Sequence, residues 1–167
     1  MIRSIIWTVV FCTVAAILQS AVFDKIAIFN VVPDIALCIL VFSAYVNGTM
    51  SGQISGFLSG LFYDFISAAP LGMNCLIRTV TGALTGIFKG QFFMDIIFMP
   101  VILCTLATIL KFVIIFILHL VIGSSVPNPF SIINISTIWI EAGLNALSAP
   151  LLFILLKLFK PIFIGRS

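Results

Sequence analysis

Six runs of apolar residues, separated by short clusters of polar, glycine and proline residues, dominate this sequence. Hydrophobic residues make up 62% of the 167-residue chain and charged residues 8%, against about 45–50% and about 25% in a soluble domain. A water-soluble fold of this length would need more polar surface than the chain can supply. The chain is therefore expected to lie in a lipid bilayer, which excludes soluble enzymes, nucleic-acid-binding proteins and disordered regulators.

The breaks between the apolar runs predict six helices. A helix needs about 20 apolar residues to cross about 30 Å of hydrocarbon. The second and third predicted helices are shorter than an upright span, so they tilt little, extend through Asn47 and Gly48, or lie in locally thinned membrane. The expected fold is an all-α integral membrane protein with six transmembrane helices, forming one polytopic membrane domain over residues 1–167. The predicted helices run over Ser4 to Phe23, Asp34 to Val46, Ser51 to Ser67, Leu71 to Lys89, Pro100 to Gly123 and Thr137 to Leu158.

The distribution of basic residues predicts the orientation in the membrane. Lysine and arginine are enriched in cytoplasmic segments of membrane proteins. An orientation with both termini in the cytoplasm leaves only Lys25 in an outer loop and places the other counted basic residues inside. These are Arg3, Lys89, Lys157, Lys160 and Arg166. The sequence therefore favours cytoplasmic N and C termini.

Two ladders of small residues mark the third and fourth predicted helices. Small residues at every fourth position let helix backbones approach closely in a membrane. Only Ala68, Ala69 and Pro70 separate the two helices, so an antiparallel hairpin is predicted. One ladder consists of Gly48, Gly52, Gly56 and Gly60, with Asp64 at its next position, and the other of Arg78, Gly82, Gly86 and Gly90.

Asp64 and Arg78 are expected in the outer half of the membrane, close to this turn. A lone charge at that depth costs several kcal/mol, whereas charges that find partners cost much less. The favoured hypothesis is an ion pair or a hydrogen-bonded post that holds the hairpin. Two alternatives remain open, namely proton or substrate handling by Asp64 and contact with a partner protein.

Three further ionisable residues lie in the last two predicted helices: Lys111, His119 and Glu141. His119 and Glu141 are expected at similar depth. One hypothesis is a proton relay through all three side chains. The alternative is structural, because a lone lysine can extend towards the interface and a histidine beside a carboxylate is commonly a packing element.

No catalytic or metal-binding motif is recognisable in the sequence. The four cysteines lie one per apolar segment, without the short spacing of a metal or redox site. They are expected to be small buried or lipid-facing side chains: Cys12, Cys38, Cys75 and Cys104. A protein without enzymatic activity, cofactor or bound metal is therefore expected.

The region around the third and fourth predicted helices resembles the signature of the MreD family of bacterial rod shape-determining membrane proteins. The resemblance rests on Pro33-Asp34, Gly52, the stretch from Gly56 to Asp64 and the stretch from Ser67 to Asn74. Ala68 departs from the glycine that the family usually has after this serine. The residues expected to matter for structure or partner contact are Pro33, Asp34, Gly52, Gly56, Gly60, Asp64, Pro70, Gly72, Arg78, Gly82 and Gly86.

The resemblance implies a multi-pass subunit of the bacterial inner membrane that maintains rod shape by scaffolding peptidoglycan synthesis. MreC is the most direct implied partner. MreB, RodA and the penicillin-binding transpeptidase of RodA are implied in a larger complex, together with membrane lipids and without nucleic acid.

A second hypothesis follows from the same resemblance. The family is similar in fold to the substrate-binding components of energy-coupling-factor transporters, so the chain could instead bind a small molecule as a subunit of a vitamin-type transporter. Such components commonly carry an Ala-xxx-Ala docking face in the first helix. Here the nearest matches are Ala16-xxx-Ser20 and Ala15-xxx-Gln19, which favours the scaffold hypothesis.

Overall fold

The computed structural model of the protein describes residues 2–22, 31–67, 69–90, 98–123, 125–131 and 135–159. Within these ranges it contains six α-helices, and the six predicted helices are confirmed with ends that differ by at most two residues. Ala68, Lys25, Lys160 and Arg166 lie outside the described residues. The helices are α1 (Ile2–Val22), α2 (Ile35–Asn47), α3 (Thr49–Ile66), α4 (Met73–Ile87), α5 (Phe98–Ile122) and α6 (Ile135–Leu158).

Three of these helices are long and apolar enough to cross a membrane, namely α1 over Ile2–Ala21, α5 over Phe98–Ile122 and α6 over Ser136–Leu158. The 13 residues of α2 extend over about 20 Å at 1.5 Å per residue. This is less than the thickness of the hydrocarbon layer. The crossing of the membrane by all six helices therefore stays a prediction.

The short helix α2 is the centre of the bundle. Residues Ala36 to Tyr45 are all buried, and α2 packs against each of the other five helices. A helix that is apolar on every side is stable only where it is surrounded by protein or lipid. The helix begins at Asp34, whose side chain accepts a hydrogen bond from the backbone N–H of Leu37 at 3.0 Å.

The predicted hairpin of α3 and α4 is confirmed as the tightest packing in the protein. A Cβ atom built on Gly56 would collide with the backbone carbonyl of Arg78, and one built on Gly82 would collide with the carbonyl of Gly52. On Gly60, a Cβ atom would lie 2.5 Å from the Cα atom of Cys75. Glycine at these positions therefore sets the distance between the two backbones.

A third stripe of small residues, not predicted from the sequence, lies on α1. Ser4, Thr8, Cys12 and Ala16 recur at four-residue steps and are all buried. The hydroxyl groups of Thr8 and Ser43 are hydrogen-bonded at 2.6 Å, which joins α1 to α2. The stripe explains how α1 packs closely against both α2 and α3.

The helices α5 and α6 form a second hairpin, which packs on α2 and α4. The ring of Phe153 in α6 meets that of Phe42 in α2 edge to face, with ring centroids 5.1 Å apart. At the opposite end of α6, Glu141 and Asn145 are buried. At this end α6 contacts Lys111 and Thr108 of α5 and the backbone N–H of Asp34.

The close packing of α3 on α4 can be tested with a matched pair of glycines. We expect Gly60→Leu to lower the free energy of unfolding by at least about 1–3 kcal/mol, as overpacking does elsewhere, because the new side chain would meet the backbone of α4. Gly143 in α6 has no atom within 4 Å of a built Cβ, so Gly143→Leu is the control. Unfolding in detergent measures both, and a Gly60→Leu protein as stable as the parent would contradict the close packing.

Candidate functional site

Four charged side chains from four different helices or helix ends form one buried ion network. Asp34 lies at the start of α2, Arg78 on α4, Lys111 on α5 and Glu141 on α6. Arg78 Nη2 is 3.5 Å from Asp34 Oδ1, and Lys111 Nζ is 3.2 Å from Asp34 Oδ2. Lys111 Nζ also lies 2.6 Å from Glu141 Oε1. The network therefore runs in the order Arg78, Asp34, Lys111, Glu141.

Asp34 is the residue on which this network converges. Its Oδ1 atom accepts hydrogen bonds from the Leu37 N–H and from Arg78, while Oδ2 accepts one from Lys111. The carboxylate also lies at the N-terminus of α2, where the helix dipole favours negative charge. Three sources of positive potential thus compensate one desolvated carboxylate.

The network is buried and carries no net charge. The exposed fraction of the side chain is 3% for Arg78, 9% for Asp34 and Glu141, and 19% for Lys111. Two cations and two carboxylates sum to zero, which is the condition under which buried charges are tolerated at membrane depth. The guanidinium of Arg78 also lies 4.4 Å from the ring centroid of Tyr63, a cation–π contact.

Two neutral residues extend the network. Asn145 Oδ1 accepts a hydrogen bond from the backbone N–H of Asp34 at 2.7 Å, and Asn145 Nδ2 donates one to Thr108 Oγ1 at 2.8 Å. Both side chains are fully buried. Neither residue was predicted from the sequence, although Asn145 follows Glu141 by four residues and so shares a helix face with it.

Asp64 does not pair with Arg78, so the ion-pair form of the sequence hypothesis is wrong. The carboxylate of Asp64 instead accepts hydrogen bonds from the backbone N–H groups of Gly72, Asn74 and Cys75 at 3.0, 2.9 and 3.1 Å. It also accepts one from the Asn74 side chain at 3.0 Å. Asp64 therefore caps the first turn of α4 and acts as the hydrogen-bonded post of the turn.

Only two of the three residues of the hypothetical relay, Lys111 and Glu141, are in contact. Lys111 meets Glu141, but His119 Nδ1 contacts the backbone carbonyl of Val126 at 2.6 Å. His119, in the last turn of α5, thus contacts the connection after the helix and lies apart from the network, whereas Lys111 is joined to Asp34. Among the described contacts, the relay hypothesis is therefore supported only for the step between Lys111 and Glu141.

The other candidates from the signature region shape the turns. Gly72 precedes α4 with φ of 91°, a left-handed conformation that favours glycine. The carbonyl of Pro70 accepts a hydrogen bond from the Met73 N–H at 3.1 Å, and that of Pro33 accepts one from the Ile35 N–H at 3.0 Å. A contact of these residues with a partner protein stays a prediction.

Two apolar grooves flank α5. One, of about 300 Å³, lies between α4 and α5 and is lined by residues such as Leu84, Phe88 and Leu110. The other, of about 430 Å³, lies between α5 and α6, beside Ile109, Trp139 and Gly143. Their linings suit acyl chains or apolar helix faces rather than polar ligands.

The described residues contain no group of three or more His, Cys, Asp or Glu side chains positioned to hold a metal ion. The four cysteines are unpaired and buried, as small core side chains. Lys111 and Glu141 already neutralise each other, and no hydroxyl or thiol nucleophile lies beside a free base in the contacts described here. The chemistry that the network supports is mutual stabilisation of charge.

Fold and network together define an α-helical membrane protein in which four buried charged groups pair with one another. The family model for the rod shape-determining protein MreD matches residues 1–159 of this chain. The chain therefore belongs to the MreD family. No curated protein and no solved structure matches it, so the expected similarity in fold to transporter components stays a prediction.

The pairing of Arg78 can be tested by double-mutant cycles. We expect Asp34→Asn and Arg78→Gln to be coupled by at least about 1 kcal/mol in the free energy of unfolding, because each removes the partner of the other. Asp64→Asn and Arg78→Gln form the matched cycle, and their effects should add to within about 0.5 kcal/mol. Strong coupling of Arg78 to Asp64 but not to Asp34 would contradict the network.

Proposed function

We propose that the protein is a non-enzymatic, multi-pass subunit of the rod cell-elongation complex that maintains rod shape by scaffolding peptidoglycan synthesis. The observation that carries this proposal is the match of the MreD family model along residues 1–159. The match extends over nearly the whole chain and is not confined to the signature region. The function is thus proposed for the bundle as a unit.

The closed charge network supports a scaffold. A site that binds a polar substrate or transfers protons needs ionisable groups that can exchange partners with a ligand. Here the charges of Asp34, Arg78, Lys111 and Glu141 are engaged with one another. The protein would then act through its outward surfaces, including the grooves beside α5 and the exposed aromatic face of α3 with Phe57, Phe62 and Phe65.

The distribution of charge along the bundle supports an inner-membrane location with cytoplasmic termini. Lys89 Nζ donates a hydrogen bond to the Asn47 carbonyl at 2.9 Å, at the C-terminal end of α2. Because α1 packs antiparallel to α2 and α6 packs parallel to it, Arg3 and Lys157 come to this same end. A basic end facing the cytoplasm follows the usual bias of membrane proteins. All six helices would then span the membrane. The short helix α2 would do so together with the turns at its ends.

MreC is the most direct proposed partner, with MreB, RodA and the penicillin-binding transpeptidase of RodA in the larger complex. The transporter hypothesis is not favoured. The first-helix positions that could imitate an Ala-xxx-Ala docking face begin at Ala15 and Ala16, which are 8% and 2% exposed. Both pack in the protein core against α2, so they are not available to dock a coupling subunit.

Depletion of the protein from rod-shaped cells tests the proposed function. We expect the cells to widen and become round, because side-wall synthesis would lose its scaffold, while uptake of vitamins stays at the parental rate. Expression of the unaltered chain during depletion is the control and should restore the rod. Cells that keep their shape but stop accumulating one vitamin would favour the transporter hypothesis.

A further inference from the structure

The six helices fall into two units. The first, here called the body, consists of α1 to α4, which pack densely on one another. The second, here called the hairpin, consists of α5 and α6. The hairpin meets the body through smaller interfaces, in which α6 and α5 contact α2 and α5 contacts α4.

Among the described residues, Asp34 receives two polar contacts that cross the boundary between body and hairpin. Lys111 of the hairpin reaches the Asp34 carboxylate at 3.2 Å, and Asn145 of the hairpin accepts the Asp34 backbone N–H at 2.7 Å. One residue of the body thus holds a side chain from each helix of the hairpin. We call these two contacts the latch.

The ion network divides along the same boundary into two neutral pairs. Asp34 and Arg78 belong to the body, whereas Lys111 and Glu141 belong to the hairpin. The pair inside the hairpin is the shortest ion pair of the network, at 2.6 Å. Separation of the two units would therefore leave no unpaired charge in either of them, which removes the largest penalty for moving charged helices apart in a membrane.

The apolar part of the boundary is loosely filled on the α4 side. The groove of about 300 Å³ is lined by body residues of α4, such as Leu84, and by hairpin residues of α5, such as Leu106. On the α2 side the apolar core continues across the boundary, where Ala107 of α5 and Phe153 of α6 are buried in one cluster with α2, and Phe153 meets Phe42 edge to face. The boundary is thus held by the latch and by apolar packing on α2, and it is open on the α4 side.

We propose that the hairpin opens from the body as a unit, with Asp34 as its latch, and that each unit keeps its own neutral ion pair when it does so. The apolar packing on α2, including the contact of Phe42 with Phe153, keeps the units together. This opening gives the protein two arrangements that a molecule bound in a groove beside α5 can bias. The inference concerns the fold and does not depend on the proposed function.

Distances between spin labels in lipid nanodiscs test the opening. Labels carried by unnatural amino acids leave the native cysteines in place. One pair joins Phe65 in the body to Leu147 in the hairpin, and a second pair joins Ile17 to Leu76 within the body. All four positions are exposed, so the labels do not disturb the core.

The double variant Lys111→Gln with Glu141→Gln removes the charged latch contact without creating an unpaired charge. We expect the ratio of long to short distances between body and hairpin to rise by about tenfold or more, the size of effect expected when a hydrogen bond to a charged group is lost. The distances within the body should stay as in the parent. Asn145→Ala, which keeps all four charges, should shift the same ratio in the same direction by a smaller factor.

Asp64→Asn is the control, because it alters a carboxylate of the body that does not touch the hairpin. It should leave the ratio between body and hairpin unchanged. Two results would overturn the proposal. In one, neither latch variant lengthens the distances between the units, and in the other, the distances within the body broaden as much as those between body and hairpin.

Discussion

The Asp34 carboxylate lies in the protein interior between Arg78 and Lys111, and the arrangement of the helices depends on this contact. A desolvated carboxylate is tolerated only if cations and hydrogen-bond donors reach it, and here they come from α4, from α5 and from the first turn of α2. Because α2 is short and begins inside the bundle, its N-terminal end needs such partners. The bundle is thus organised around the buried N-terminal end of α2 rather than around a helix that spans the membrane.

The glycine ladders and the buried charges depend on the same arrangement of the helices. Gly56 lets the α3 backbone lie against the backbone of Arg78, and this contact fixes where α4 carries its guanidinium. The stripe on α1 acts similarly on the other side of α3, with Thr8 bonded to Ser43 of α2. Close packing therefore sets the position of the cation, and the cation compensates the carboxylate. A larger residue in the ladder would disturb both.

The six helices could be predicted from the sequence because long apolar runs and the breaks between them are local features. The α3–α4 hairpin could be predicted because both ladders and the short turn between them lie within one stretch of the sequence. The pairing of the charges could not. Asp64 and Arg78 are close in sequence, yet the backbone N–H groups at the start of α4 satisfy Asp64, which frees Arg78 for Asp34. Which helices are neighbours is a non-local property, so nothing local connected Lys111 or Asn145 to Asp34.

Exchanging the two charges of an ion pair changes protein stability differently when the pair is isolated and when it belongs to a larger network. This difference tests the central role of Asp34 most directly. Thermal unfolding of the purified protein would be compared for the parent, Lys111→Glu, Glu141→Lys and the double variant that carries both changes. We predict that the double variant recovers only part of the stability that the single variants lose, because the pair between positions 111 and 141 is restored but a carboxylate at position 111 would face Asp34. Recovery of parental stability in the double variant would show that Lys111 and Glu141 form an isolated pair and would contradict the central role of Asp34.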